Sequence, residues 1–150
     1  MRICIFKQII RGIIMSKQIT LSVKCPHCQA SLMDTDFRIN NKDTVKLHIR
    51  IPGDLNGIIW LSSIYGDFNY SSALKISEND IIQFYCPHCS SLLNRKNVTC
   101  DLCGAPIVSF NCIVGGRVNI CSRNGCKNHA VVFEDLDTAL RKYYDEFGYY

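Results

Sequence analysis

Eight cysteines in four close pairs constrain this chain more than any other feature. The pairs are Cys25/Cys28, Cys86/Cys89, Cys100/Cys103 and Cys121/Cys126; three are C-x-x-C and the last is C-x-x-x-x-C. A C-x-x-C turn aims two thiolates at one point and supplies half of a tetrahedral site, so four halves make two Cys4 sites. Zinc, two ions per chain, is the cofactor this arithmetic predicts. A single iron is the other metal that an all-sulfur tetrahedron accepts, and zinc is favoured. Four complete pairs leave no open coordination position. The metals are therefore read as structural, with no catalytic residue assigned and no enzyme expected.

At 150 residues the chain is one domain or two small ones, and 47% hydrophobic with 20% charged residues is a globular composition. The apolar residues are spread between cysteine turns, so the core is modest and metal cross-links add stability. Ten cysteines also suit a secreted disulfide scaffold. The ligand spacing, with no convincing export signal ahead of it, favours a reduced, metal-bound, cytoplasmic protein instead. No stretch is long and apolar enough to span a bilayer. The net charge of +4 comes from 17 basic and 13 acidic residues. Arg2, Lys7 and Arg11 lie in the first 14 residues, and from Met15 onward 14 basic residues face 13 acidic ones. That balance is not the footprint of a strong nucleic-acid binder, although it leaves room for a local basic patch.

Residues 1–14 form a doubtful N-terminal leader. Ile5, Phe6, Ile9, Ile10, Ile13 and Ile14 make an apolar stripe opposite Lys7 and Arg11. An amphipathic membrane-surface helix and a signal peptide are both readings of this pattern; the favoured one is an upstream start, with Met15 the true beginning. Two further units follow: 15–92, a zinc ribbon with an inserted sheet, and 93–150, a second ribbon plus a C-terminal helix.

Alternation of apolar and polar residues predicts the strands. Ile19, Leu21 and Val23 lead into Cys25, and Val45, Leu47, Ile49 and Ile51 alternate with Lys46, His48 and Arg50. Pro52–Asp54 and Asn56-Gly57 read as turns, with Ile58–Leu61 as a partner strand. Strands are expected near Ala73–Ile76 and at Ile81–Tyr85, making 29–85 an antiparallel sheet held between two cysteine turns. Ile107–Phe110 and Arg117–Ile120 flank Gly115-Gly116 as a hairpin, followed by a short strand at Ala130–Phe133. Leu136, Leu140, Tyr143, Tyr144 and Phe147 recur at helical spacing and predict a terminal helix, through which the chain can dimerise. The fold class expected is therefore small, β-rich α+β and metal-stabilised.

Cys25-Pro-His-Cys28 and Cys86-Pro-His-Cys89 repeat one turn, each after an alternating strand. This favours pairing Cys25/Cys28 with Cys86/Cys89, and Cys100/Cys103 with Cys121/Cys126. The alternative joins Cys86/Cys89 to Cys100/Cys103 across ten residues and leaves the outer pairs to meet.

The run Cys100-Asp-Leu-Cys103-Gly104-Ala-Pro-Ile107-Val108, then Gly115-Gly116, Ile120-Cys121-Ser122 and Cys126-Lys127, resembles the Cys4 zinc ribbon at the C-terminus of bacterial type IA topoisomerases. The likeness covers about residues 100–127. It departs from that family at Asn124-Gly125, where an aromatic-proline step is usual, and carries fewer basic residues between its cysteines. The resemblance implies a metal site on Cys100, Cys103, Cys121 and Cys126, with single-strand nucleic-acid binding as an expectation. The chain as a whole is similar to small bacterial zinc-ribbon proteins.

Other residues carry bland and sharp readings side by side. C-P-H-C is also similar to the active-site motif of DsbA-like thiol oxidoreductases, which places its first cysteine at a helix N-terminus. Rubredoxin-type knuckles read C-P-x-C-G, and Gln29 and Ser90 replace that glycine. His27, His88 and His48 are expected at the surface, while His129 is an alternative fourth ligand to Cys126. Cys112 reads as a buried thiol, and Cys4 belongs to the leader. Trp60, Tyr65, Phe68 and Tyr70, with Lys46 and Arg50 nearby, read as the filling of a small sheet or as a stacking platform for bases. No P-loop, nucleophile-elbow or H-E-x-x-H motif is present. The function expected is a non-catalytic zinc-binding recognition module associated with nucleic acid or transcription. The alternatives are a protein-protein adaptor and, behind it, a thiol oxidoreductase or redox switch.

Overall fold

Val45, Leu47, Ile49 and Ile51 are buried on one face of a ten-residue strand, while His48 and Arg50 on the other face are exposed. This period-2 pattern organises the first of two five-stranded antiparallel sheets. The computed structural model of the chain describes residues 20–113 and 115–132, the last four by backbone alone. Its strands are β1 Val23–Lys24, β2 Met33–Ile39, β3 Lys42–Ile51, β4 Leu55–Ser62, β5 Tyr70–Ser72, β6 Gln83–Tyr85, β7 Asn94–Thr99, β8 Pro106–Cys112, β9 Arg117–Cys121 and β10 His129–Val132. There is no helix among the described residues. The expected terminal helix, the 1–14 leader and Cys4 lie outside them.

The first sheet runs β2-β3-β4-β5, with β6 pairing β3 beyond the end of β2. The second runs β1-β8-β9-β10, with β7 also on β8. Each C-P-H-C turn carries the chain from one sheet to the other. Cys25–Cys28 links β1 of the second sheet to β2 of the first, and Cys86–Cys89 links β6 of the first to β7 of the second. The crossovers are stitched by backbone bonds: Leu32 N–H donates to Val23 at 3.0 Å, and Leu93 N–H donates to Phe84 at 2.8 Å. One core fills the space between, with Val23, Leu47, Ile49, Ile59, Phe84, Val108 and Phe110 all buried. Burial of each such side chain contributes about 1.5–3 kcal/mol. A smaller cluster of Ala105, Ile107, Cys100 and Cys121 sits under the second cysteine group.

Several local expectations need correcting. Asn56-Gly57 is not a turn: Asn56 pairs Arg50 and Gly57 pairs Ile49 inside β4. A Cβ at Gly57 would lie 2.6 Å from Leu74 Cδ1, so the glycine is required by a close approach of side chain to backbone. The strand expected at 73–76 is displaced to Tyr70–Ser72, while Leu74 and Ile76 pack on the core from a loop. Two strands, β2 and β7, were not expected. Both are polar and lie on sheet edges, and each has an irregular register against its partner. Asn40 and Asn41 close the β2–β3 hairpin with φ of 54° and 64°, the left-handed pair that a two-residue I′ turn demands.

Candidate metal centres

All four cysteine pairs occupy one kind of hairpin tip. The residue before the first cysteine pairs, in each case, with the third residue after the second: Lys24 with Ser31, Tyr85 with Leu92, Thr99 with Pro106 and Ile120 with His129. In the three C-x-x-C turns the first cysteine exchanges two backbone bonds across the tip. Gln29, Ser90 and Gly104 donate to the carbonyls of Cys25, Cys86 and Cys100 at 2.9–3.0 Å. Cys25, Cys86 and Cys100 in turn donate to Ala30, Ser91 and Ala105 at 2.7–3.0 Å. The residue after each second cysteine is left-handed, with φ of 65° at Gln29, 61° at Ser90 and 80° at Gly104. The shared conformation explains why glycine suits this position, and it shows that Gln29 and Ser90 adopt it without one.

This geometry aims backbone N–H groups at sulfur. His27 and His88 donate to Cys25 and Cys86 Sγ at 3.3 Å, and Leu102 donates to Cys100 Sγ at 3.4 Å. Arg123 N–H does the same for Cys121 at 3.5 Å. Such donors favour thiolate over thiol.

The tips bring Cys25, Cys28, Cys86 and Cys89 together in one group and Cys100, Cys103, Cys121 and Cys126 in another, the four sulfurs of each within 4.8 Å of one another. The alternative grouping of Cys86/Cys89 with Cys100/Cys103 is not formed. Cross-pair separations are 3.8 Å for Cys25–Cys89, 3.7 Å for Cys28–Cys86, 3.8 Å for Cys100–Cys126 and 3.3 Å for Cys103–Cys121. A disulfide needs about 2.05 Å. A tetrahedron with metal–sulfur bonds of about 2.3 Å has sulfur–sulfur edges of about 3.8 Å, so three of the four separations match its edges. Both groups could therefore hold a metal ion.

In each turn the first cysteine is buried and the second reaches outward: Cys25 and Cys86 are fully buried, while Cys28 and Cys89 are exposed. Protonation follows this division. Burial pushes Cys86 up to about 12 and raises Cys25. Hydrogen bonds from the Ser91 hydroxyl and N–H hold Cys89 down at about 6. In the second group burial raises Cys121 and Cys126, whereas the Ala105 N–H lowers Cys103 to about 6. Burial opposes ionisation of Cys100, but donors led by the Asn128 amide outweigh it and lower that thiol. Each group thus combines thiols that burial keeps protonated with thiols whose ionisation is favoured by hydrogen bonds.

Asn128 is a site residue that spacing alone does not reveal. Its amide bridges Cys100 Sγ at 3.2 Å and Asp101 Oδ1 at 2.8 Å, closing the fourth tip over the third. The fourth tip also docks on the first sheet's 79–82 loop. Asn124 donates to Asp80 and accepts from Asn79, and Ile82 donates to Ser122, all at 2.8–2.9 Å.

The remaining candidates scatter. His27 and His48 are exposed, and His88 Nε2 lies 3.1 Å from the Ser31 carbonyl. His129 is placed by backbone alone, at the strand position equivalent to Ser31, Leu92 and Pro106. Cys112 is a buried thiol pushed up to about 12 by its surroundings. The aromatic set does not form one platform. Trp60 stacks on Phe37 with ring centroids 4.4 Å apart and donates to Asp34 at 2.9 Å, a bond that holds the Asp34 carboxyl below its usual range. Phe68 and Tyr70 instead line a cleft of about 270 Å³ with Ile82, Phe84 and the Cys121–Asn128 loop.

No family model, curated protein or solved structure matches the chain. Among the described residues no helix is long and apolar enough to cross a membrane.

Proposed function

We propose that this chain is a non-catalytic recognition module built on two closed zinc sites, and that it works on nucleic acid or with the transcription machinery. One observation carries the proposal: eight sulfurs converge on two points, each four within 4.8 Å of one another, and three of the four cross-pair separations match the edge of a ZnS4 tetrahedron. Cys25, Cys28, Cys86 and Cys89 would hold one ion, and Cys100, Cys103, Cys121 and Cys126 the other. Each ion would neutralise thiolates that otherwise repel, and four protein ligands leave no position for a reacting water. The C-P-H-C turns sit at β-hairpin tips. Among the described residues no helix N-terminus of the kind that activates a thiol nucleophile stands beside them, which favours ligands over redox catalysis. Thiolates kept free for a metal suit a reducing cytoplasm.

The nucleic-acid reading draws on the topoisomerase-like run at 100–127 and on the distribution of charge described below. It is tested by titrating zinc-loaded protein with fluorescent polynucleotide at rising salt. Binding that weakens steeply with salt is the expected result, and absence of binding at low salt removes the reading. A protein-binding adaptor is the second reading, favoured by Leu102, a large apolar side chain 74% exposed at the tip of the third cysteine turn. It predicts a co-purifying partner released by Leu102→Ser.

A further inference from the structure

Charge is unevenly shared between the sheets. Residues 20–85, which supply the first sheet and β1 of the second, carry six basic and seven acidic residues. Residues 86–132, which supply β7 to β10, carry five basic residues and a single acid, Asp101. Asp101 is engaged by the Asn128 amide. Three of the five cations, Arg95, Lys96 and Arg117, line one groove of about 480 Å³ along β7, together with His27, Asn97 and Asn111. No acidic residue lines it. Among the described residues these three cations make no ion pair; the ion pair that does form, Arg38–Asp43 at 3.6 Å, belongs to the first sheet. A concave patch that concentrates positive charge without counter-charges, flanked by neutral donors, is complementary to a string of phosphates.

We propose that this groove binds the phosphate backbone of a single-stranded polynucleotide, an inference that deepens the nucleic-acid reading above and rests on it. No Phe, Tyr or Trp lines the groove and His27 is its single aromatic ring, so it offers little stacking surface and most contacts fall on phosphate and sugar. Weak base preference and strong salt dependence follow. A flexible single strand can bend into a short concavity, whereas a stiff duplex presents its phosphates on a convex face. The competing occupant is an acidic peptide added to the β7 edge as a further strand. That mode needs a regular ladder, and β7 shifts register against β8 between Asn94 and Thr99, which makes it a poor template.

The experiment is fluorescence anisotropy of labelled oligo(dT) with the zinc-loaded full chain over a salt series. Three phosphate contacts on a single strand predict a slope of about −2 in log K against log salt, which is about 20-fold weaker binding at 200 mM than at 50 mM. The variant Arg95→Ala/Lys96→Ala/Arg117→Ala flattens the slope towards zero and loses about 20-fold at 50 mM, with zinc content and melting unchanged. Lys42→Ala/Lys46→Ala/Arg50→Ala on the first sheet keeps the parent's slope. If the parent binds and the groove variant binds equally well, the groove assignment is wrong while the nucleic-acid reading stands. If the parent binds no oligonucleotide at 50 mM salt, both are wrong. Duplex DNA bound as tightly as the single strand, or polyglutamate displacing the oligonucleotide at equal charge concentration, also overturns the proposal.

Discussion

Cys28 Sγ lies 3.7 Å from Cys86 Sγ although 58 positions separate the two residues. The contact joins two turns that each carry the chain between sheets. A metal bound there would clamp both crossovers at once, whereas the second group ties together two hairpins of one sheet and docks it on the 79–82 loop. The two groups therefore do different structural work.

Cys86→Ser and Cys103→Ser should each lower zinc from two ions to one, but with different consequences. Loss of the first site costs several kcal/mol, since a structural zinc site contributes folding free energy directly. Hydrogen exchange should show lost protection in both sheets for Cys86→Ser, and lost protection confined to β7–β10 for Cys103→Ser. Equal and local effects from both variants would contradict the clamp.

The left-handed positions after the cysteine pairs give opposite substitutions opposite signs. Gln29 and Ser90 hold φ of 65° and 61°, where a side chain is disfavoured by about 1 kcal/mol or more. Gln29→Gly and Ser90→Gly are expected to raise stability by about 0.5–1 kcal/mol each after the entropy cost of glycine. Gly104→Ala, at φ of 80°, should lower it by about 1 kcal/mol. Urea midpoints of the zinc-loaded proteins measure all three.

Gly57→Ala should destabilise by about 1–3 kcal/mol, because its methyl would sit 2.6 Å from Leu74 Cδ1 and 2.7 Å from Cγ. Leu74→Ala removes the clash, so the double variant should be more stable than the two single losses added together. A strictly additive cycle would mean that the two sites do not touch.

Metal uptake should release protons and weaken in acid. Burial raises Cys25 and Cys86 in the first group, and Cys121 and Cys126 in the second, so at pH 7 these are thiols that a metal must deprotonate. Roughly two or more protons should leave per ion, and log affinity should rise by about two or more per pH unit near neutrality. Below pH 6 the slope should steepen, because Cys89 and Cys103, held at about 6, begin to protonate as well. Calorimetry in buffers of different ionisation enthalpy reads the proton count.

The legible parts of this fold were those with strong local signals. The cysteine spacing identified every member of both groups, and strict alternation marked β3 from Val45 to Ile51. Gly115-Gly116 marked the β8–β9 hairpin, now seen pairing Asn111 with Arg117. Edge strands stayed hidden because they bury little: Met33–Ile39 and Asn94–Thr99 hold their places by pairing to a neighbour rather than by an apolar stripe. Asn40-Asn41 was the signal that could have revealed β2, since two adjacent asparagines suit a I′ turn. Gly57 misled because a glycine admitting a neighbouring side chain looks, in sequence, like a glycine making a turn. The basic groove was masked in the whole-chain charge by acidic residues elsewhere in the sequence, seven of them in 20–85 and five in 133–150.

The most direct test is elemental analysis with native mass spectrometry on chain purified under reducing conditions without added metal. The account predicts two zinc ions per chain, with release by chelator accompanied by loss of the β-sheet signal in circular dichroism. A folded, metal-free protein, its eight sulfurs joined in disulfides or left as free thiols, would contradict it.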